Sequence, residues 1–212
     1  MSGKRLWIVI ATVLTMLTVS ALAQDEKNEV GGTVGRIFVS DQGIKLSNIV
    51  DPTIHSGKGL TLEGFYAHRF LVTPIYSISG EVPVAYNIDE DLIGGQVNQT
   101  VPTDYKALFV TPAARVNLFP TTAVSPWVSL GAGFGHFSEG NTLAFGGPNP
   151  GKSTTNFVLQ AGLGLDVRVW SRLYIRGQVR DFWSGEPDFP LAPTGKSRQH
   201  NFFVSGGAFW RF

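Results

Sequence analysis

Three short stretches of the sequence carry residue types that could do chemistry. Gly146-Gly147-Pro148-Asn149-Pro150-Gly151-Lys152-Ser153 spells a complete Walker A string, in which backbone amides cradle phosphates and a lysine reaches the outer ones. That chemistry needs a strand before the loop and a helix after it, whose N-terminal amides meet the phosphates. Here the residues that follow alternate as a strand would, and Pro148 and Pro150 remove amide donors from the cradle. A polar loop without nucleotide is expected. His136-Phe137-Ser138-Glu139 sets a base and a nucleophile on one face of an extended chain, but Glu139 points to the opposite face, so a rim histidine beside a loop is expected. Asp89-Glu90-Asp91 could offer oxygens to a hard divalent cation, although adjacent carboxylates in a loop are more simply solvated charge. His55, His68, His136 and His200 show no ligand spacing, and no cofactor or metal is expected.

The elements that must position these residues read as strands. Eight segments have strand character, over residues 30–40, 59–71, 73–86, 105–119, 123–137, 154–169, 173–183 and 200–212. The sixth is clearest: Phe157, Leu159, Ala161, Leu163, Leu165, Val167 and Val169 share one face, while Gln160, Gly162, Gly164, Asp166 and Arg168 share the other. The first, with Gly31, Gly32, Gly35 and an oddly placed Arg36, shows no clean alternation. Pro83 and Pro112 fall inside the third and fourth segments, where bulges or strand ends are expected.

Glu63, Glu81, Arg115, Asp166, Arg168, Arg176 and Arg180 all fall on the polar face. A soluble barrel would put that face outward around an apolar core. The inverse is expected here, with apolar side chains in lipid and a lumen filled by a paired charge network, Gly131, Gly133, Gly135, Gly162 and Gly164 making room for the arginines. Backbone groups in hydrocarbon must be paired within the structure, so such strands cross a membrane only as a closed sheet. Connections alternate between short ones near 71–73, 119–122 and 170–172 and long ones near 41–58, 87–104, 138–153 and 184–199. Short turns facing the periplasm and long loops facing outward are the barrel rule. Two aromatic girdles are expected at the strand ends, Phe70, Phe119, Trp170, Trp210 and Phe212 at one and Tyr86, Tyr105, Trp183 and Phe202 at the other.

Composition bounds the rest. Charged residues are only 16% and aromatics 12%, with 25 glycines, a mix too poor in charge for a typical soluble domain. Cysteine is absent, which removes disulfides, thiolate metal sites and thiol-linked lipid. The near balance of 17 basic and 16 acidic residues argues against nucleic acid as a partner. Lys4 and Arg5, the apolar run 6–19 and Ala21-Leu22-Ala23 form a signal-peptide pattern, so residues 1–23 are expected to be removed and 24–212 to form one domain.

The last eight residues, Ser205-Gly206-Gly207-Ala208-Phe209-Trp210-Arg211-Phe212, resemble the terminal assembly signal of bacterial outer-membrane barrels, with Ser205, Gly207, Trp210 and Phe212 at the specified positions. With the signal peptide and the strand count, the mature chain resembles the OmpA-like small outer-membrane β-barrel superfamily. The resemblance implies an all-β, eight-stranded antiparallel transmembrane barrel in the bacterial outer membrane, exported through the periplasm. It also implies periplasmic chaperones and the barrel assembly machinery as partners, and contact with outer-membrane lipid and lipopolysaccharide. No peptidoglycan-binding domain follows the last strand in this sequence, so no cell-wall tether is expected. Small barrels of this kind include lipid A deacylases, whose serine is followed by asparagine, where this chain has Glu139. The expected function is a monomeric structural or surface-interaction barrel acting through four long outer loops. A narrow channel for small solutes, and behind it a lipid-acting hydrolase, are the alternatives.

Overall fold

The computed structural model describes residues 26–40, 42–43, 53–56, 59–94, 104–143, 146–150, 153–185 and 198–212. The expected leader, residues 1–23, lies outside the described residues, as does part of each long connection. The chain runs through β1 (Asn28–Val39), β2 (Gln42–Gly43), β3 (Thr53–Ser56), β4 (Leu60–Val72), β5 (Tyr76–Gly94), β6 (Asp104–Val110), β7 (Ala113–Leu118), β8 (Val124–Glu139), β9 (Ser153–Arg168), β10 (Leu173–Ser184) and β11 (Asn201–Arg211).

Closure organises these strands. Each long strand pairs antiparallel with its chain neighbours, and β11 returns to β1 in unbroken register from Glu29↔Arg211 to Val39↔Asn201. Asn28 and Phe212 lock the end of that seam with reciprocal backbone bonds of 2.8 Å. With β6 and β7 counted as one interrupted strand, the ring has eight members and no edge. The short β2 and β3, in a stretch expected to be loop, extend the sheet beyond the ring by pairing with the far end of β5, which continues as strand past Tyr86 to Gly94.

The two prolines meet at the interruption. Thr111 and Pro112 separate β6 from β7, and the Thr111 amide donates to the Pro83 carbonyl at 3.4 Å. A strand residue aims its N and O at the same neighbour, so the amide Pro83 lacks would have pointed at this break, where the ladder is already disturbed. The Pro112 carbonyl turns to β8 and accepts from Ala132 at 3.1 Å. Tight turns close the other end: Thr73 and Tyr76 bond through backbone and hydroxyl, and Phe119, at φ 50°, reverses the chain with its carbonyl accepting the Thr122 amide and hydroxyl.

Side-chain parity is inverted relative to a soluble protein. Leu130 is 72% exposed and Leu163 60%, while Arg115, Arg176 and Arg180 are wholly buried. In β1 the alternation missing from the sequence is present: Glu29, Thr33 and Ile37 are buried and Val30, Val34 and Phe38 exposed, with Gly31 and Gly35 on the inward parity. Gly31 and Gly35 pass so close to β11 that a Cβ would strike Phe209 and the Val204 carbonyl, which is why glycines interrupt the pattern here. Phe70, Phe119, Trp170 and Trp210 are exposed near the short-turn end, and Tyr86, Trp183 and Phe202 towards the other. Tyr105 departs from the expected girdle: it is buried, sharing inward parity with Ala107 and Phe109.

An apolar wall of this kind is stable only against lipid or detergent. Leu163→Arg, at mid-wall, is expected to destabilise the protein by about 2–4 kcal/mol in a urea folding titration in phospholipid vesicles. Destabilisation below about 0.5 kcal/mol would place residue 163 away from the hydrocarbon.

Candidate functional site

The interior holds most of the chain's unusual chemistry. Arginine, with a rigid fork of donors, suits a crowded space where each carboxylate must be met by several directed hydrogen bonds. Glu29 on β1 accepts from Arg211 of β11 through Nε at 3.0 Å and Nη2 at 2.8 Å, and also from Arg115 of β7. Arg115 reaches Glu81 of β5 at 3.1 Å, and Glu81 takes Arg180 of β10 at 2.8 Å. Glu63 of β4 lies 3.1 Å from Arg180 Nε and accepts from Gln178 at 2.7 Å. Arg176 grips Asp166 of β9 with Nε at 2.7 Å and Nη2 at 2.9 Å, a bidentate pair. Glu29, Glu63, Glu81 and Asp166 are thereby matched by Arg115, Arg176, Arg180 and Arg211, all of them buried.

Aromatic faces complete the cage. Trp127 donates Nε1 to Asp166 at 3.0 Å, and its ring lies 4.9 Å from the Arg176 guanidinium and 5.2 Å from that of Arg180. Phe65 and Phe209 cover Arg176 at 4.4 and 4.7 Å, and Tyr174 lies under Arg211 at 4.0 Å while accepting from its Nη1 at 2.6 Å. Towards the long-loop end the filling changes character. Phe109 stacks on Phe182 at 4.7 Å and meets Phe137 edge-on at 5.7 Å, and Ile37, Tyr105, Val158 and Phe203 join the same buried cluster. The lumen is therefore closed twice, by charge and then by hydrocarbon.

Of the expected charge set, Glu63, Glu81, Arg115, Asp166, Arg176 and Arg180 come together in this way. Arg168 does not. It sits on the last residue of β9, where inward parity no longer means enclosure, and is exposed. Glu29 and Arg211 were missed. Glu29 fell just before the first expected strand segment, 30–40, and Arg211 fell at an unspecified position of the terminal motif. Their parity with Thr33 and with Ser205 and Phe209 was the available signal. The inward aromatics were also missed, although Phe109, Phe137, Phe182 and Phe203 share parity with inward residues of their own strands. The glycines make room less for arginine than expected. A Cβ on Gly162 would lie 3.3 Å from Arg180 Cγ, but one on Gly164 would strike the Trp127 ring, one on Gly135 would crowd Phe109, and those on Gly131 and Gly133 would strike the backbone between β6 and β7.

The other candidates separate. His136 and Ser138 do face outward together, yet His136 Nδ1 lies 2.8 Å from Thr155 Oγ1, and Glu139 turns inward to accept from Asn149 at 3.0 Å. The described part of the Walker-like string folds back on itself: the amides of Gly146 and Asn149 donate to the carbonyls of Leu143 and Asn141, and the Asn149 side chain bonds Gly140. Those amides face their own hairpin rather than a phosphate. Lys152 lies outside the described residues, and the side chains of Asp89, Glu90 and Asp91 are likewise not described. Their backbone continues β5. No group of potential metal ligands occurs among the described residues.

At the chain end, Ser205 and Gly207 point inward and Trp210 outward, with Phe212 half-buried. Ser205 Oγ accepts from Thr33 at 3.0 Å and Gln178 at 3.1 Å, and a Cβ on Gly207 would strike the Gly32 carbonyl. Ser205 and Gly207 thus have packing reasons of their own.

Comparison with known proteins fits this geometry. The sequence model of the family described as Outer membrane protein beta-barrel domain matches residues 9–209. Among solved structures, OprG from Pseudomonas aeruginosa is similar over 88% of this chain and 95% of its own, at TM-score 0.55 and 12% identity. Neisserial surface protein A matches over 87% and 97%, at 0.52 and 13%. The attachment invasion locus protein Ail of Yersinia pestis, solved with the heparin analogue sucrose octasulfate, matches over 88% and 99%, at 0.50 and 17%. Among curated proteins no sequence match is found.

Truncating one partner of a buried pair strands the others. Arg180→Met is expected to cost about 3–5 kcal/mol in denaturant unfolding, and Glu63→Gln and Glu81→Gln added to it should recover part of that loss. A single substitution costing under about 1 kcal/mol would show that the pairs do not hold the lumen together.

Proposed function

Because the chain belongs to the outer membrane protein β-barrel domain family, we propose that it is a monomeric structural and surface-interaction barrel whose wall is a plugged scaffold and whose specificity resides in its four outer loops. As a bacterial outer-membrane barrel it stands in contact with outer-membrane lipid. The observation that carries the reading is the filled interior. A conduit wide enough for water would leave its lining residues accessible, yet Arg115, Arg176, Arg180, Phe109, Phe182 and Phe203, which face inward from several strands at different heights, are each 0% exposed. A wall so filled is rigid, and a rigid wall holds loops at fixed separations for recognition. The hydrolase alternative loses support from the Thr155 partner of His136 and the inward turn of Glu139.

The reading includes a route. Residues 1–23 direct export and are removed, periplasmic chaperones carry residues 24–212, and the barrel assembly machinery recognises the terminal signal, chiefly through Trp210 and Phe212, since these are the signal residues not held inside the lumen.

Three measurements test it. Planar-bilayer recording of protein verified as folded is expected to give no conductance above leak, and reproducible single-channel steps would favour the channel. Protease added to intact cells is expected to cut only within the long connections. Phe212→Ala is expected to lower the amount of assembled barrel in cells while leaving refolding into detergent nearly unchanged; equal losses in both would mean that Phe212 acts through stability rather than recognition.

A further inference from the structure

The outer wall carries a cation that the lumen does not explain. Arg36 points outward from β1 on the face of Val34 and Phe38, and it is exposed. Register sets it against Leu60 of β4 on one side and Val204 of β11 on the other, both apolar and half-exposed. Its guanidinium has no hydrogen-bond or ion-pair partner among the described residues. Phe38 and Phe202, paired across the seam, lie just above it, at a height where aromatic rings meet lipid headgroups. A guanidinium there keeps its charge and must turn its long side chain to water or take an anion from the membrane.

A second group of observations lies on the same flank. The Ser40 amide donates to the His200 carbonyl at 2.9 Å, which places His200 above Phe202 at the top of the same seam. The His200 ring stacks on Phe202 at 5.6 Å and on Trp183 at 6.1 Å, and the Arg198 guanidinium covers Trp183 at 4.6 Å. Asp181 lies on the same flank with His200 Nδ1 at 2.7 Å, and among the described residues neither the Arg36 nor the Arg198 guanidinium meets a carboxylate. Beneath His200 and Trp183 a mostly apolar cavity of about 380 Å³ opens on the wall, where small Ala161 lies between Leu130 of β8 and Asp181 of β10, with Leu159 next along its own strand.

We propose that this flank seats a phosphorylated, multi-chain lipid of the outer leaflet, with phosphates drawn to Arg36 and Arg198 and an acyl chain in the groove at Ala161. From β1 across β11 and β10 to β9 the site spans about 15 Å at ~4.8 Å per strand, which asks for a lipid broad enough to carry several chains and more than one phosphate. The site rests on the outer-membrane reading but is independent of whether the lumen conducts.

The test uses the purified protein in nanodiscs of zwitterionic phosphatidylcholine, doped equally with diphosphorylated lipid A and its dephosphorylated form, with retained lipid measured by mass spectrometry. Folding is verified separately by the gel-mobility change on boiling. The wild type should favour the phosphorylated form by about fivefold for each cation engaged. Arg36→Gln and Arg198→Gln should each remove about that factor, Arg36→Lys should restore most of the loss, and Ala161→Leu should lower retention of both forms. Arg172→Gln, at the opposite rim, should change nothing. Equal retention of the two forms by folded wild type, or an Arg36→Gln protein that folds and keeps the preference, would overturn the proposal. Displacement by millimolar inorganic phosphate would do so as well, by reassigning the site to a free anion. Loss of the gel shift in the wild type would instead overturn the barrel itself.

Discussion

A peptide group in hydrocarbon has no water to bond, and that constraint sets every other feature of this protein. It forces the strands into a ring, and a ring of eight leaves a narrow interior. With the wall fixed, each residue has one of two fates. Even-numbered Leu62, Tyr66, Val82 and Val84 meet lipid, while odd-numbered Glu63, Phe65, Glu81 and Ala85 are enclosed. A slip of one residue in β10 would put Arg176 and Arg180 in lipid and Ile175 and Val179 in the lumen, so register is enforced by both faces at once.

Enclosure then creates its own problem. Each buried ion gives up several kcal/mol of hydration, so the interior tolerates charge only where geometry repays it. The repayment is visible in the bidentate Arg176–Asp166 pair, the shared Glu29 and Glu81, and the aromatic faces over Arg176 and Arg211. No single strand holds a complete pair: Glu29, Glu63, Glu81 and Asp166 lie on β1, β4, β5 and β9, and their arginines on β7, β10 and β11. The network works as cross-bracing, and the aromatic cluster above it excludes the water that would weaken it.

Much of the architecture was legible because period-two alternation survives in most strands. The lipid-facing row of β9 and the charged row opposite were readable from residue types alone. What escaped did so for identifiable reasons. Glycines in β1 carry no hydropathy signal, so the inward parity of Glu29 was hidden until the closeness of β11 explained Gly31 and Gly35. Tyr105 and Phe109 were hard to place because an aromatic ring suits a membrane interface and a packed interior equally, and only parity distinguishes them. Arg168 failed in the other direction: parity held, but enclosure ends before the strand does. The pairing of Pro83 with the break at Thr111-Pro112 depends on register between strands, which one sequence does not encode locally.

Glu29 joins residues that the chain separates most widely. Its carboxylate is held by Arg211 at the far end of the sequence and by Arg115 near its middle, so its set of partners is complete only when the first and last strands meet. Until then the charges that fill the finished lumen remain hydrated, and an open sheet can add strands without bearing the cost of drying them. The β1–β11 seam therefore encloses these charges as well as shaping the wall. Joining the two ends of the chain is the event that expels water from between them.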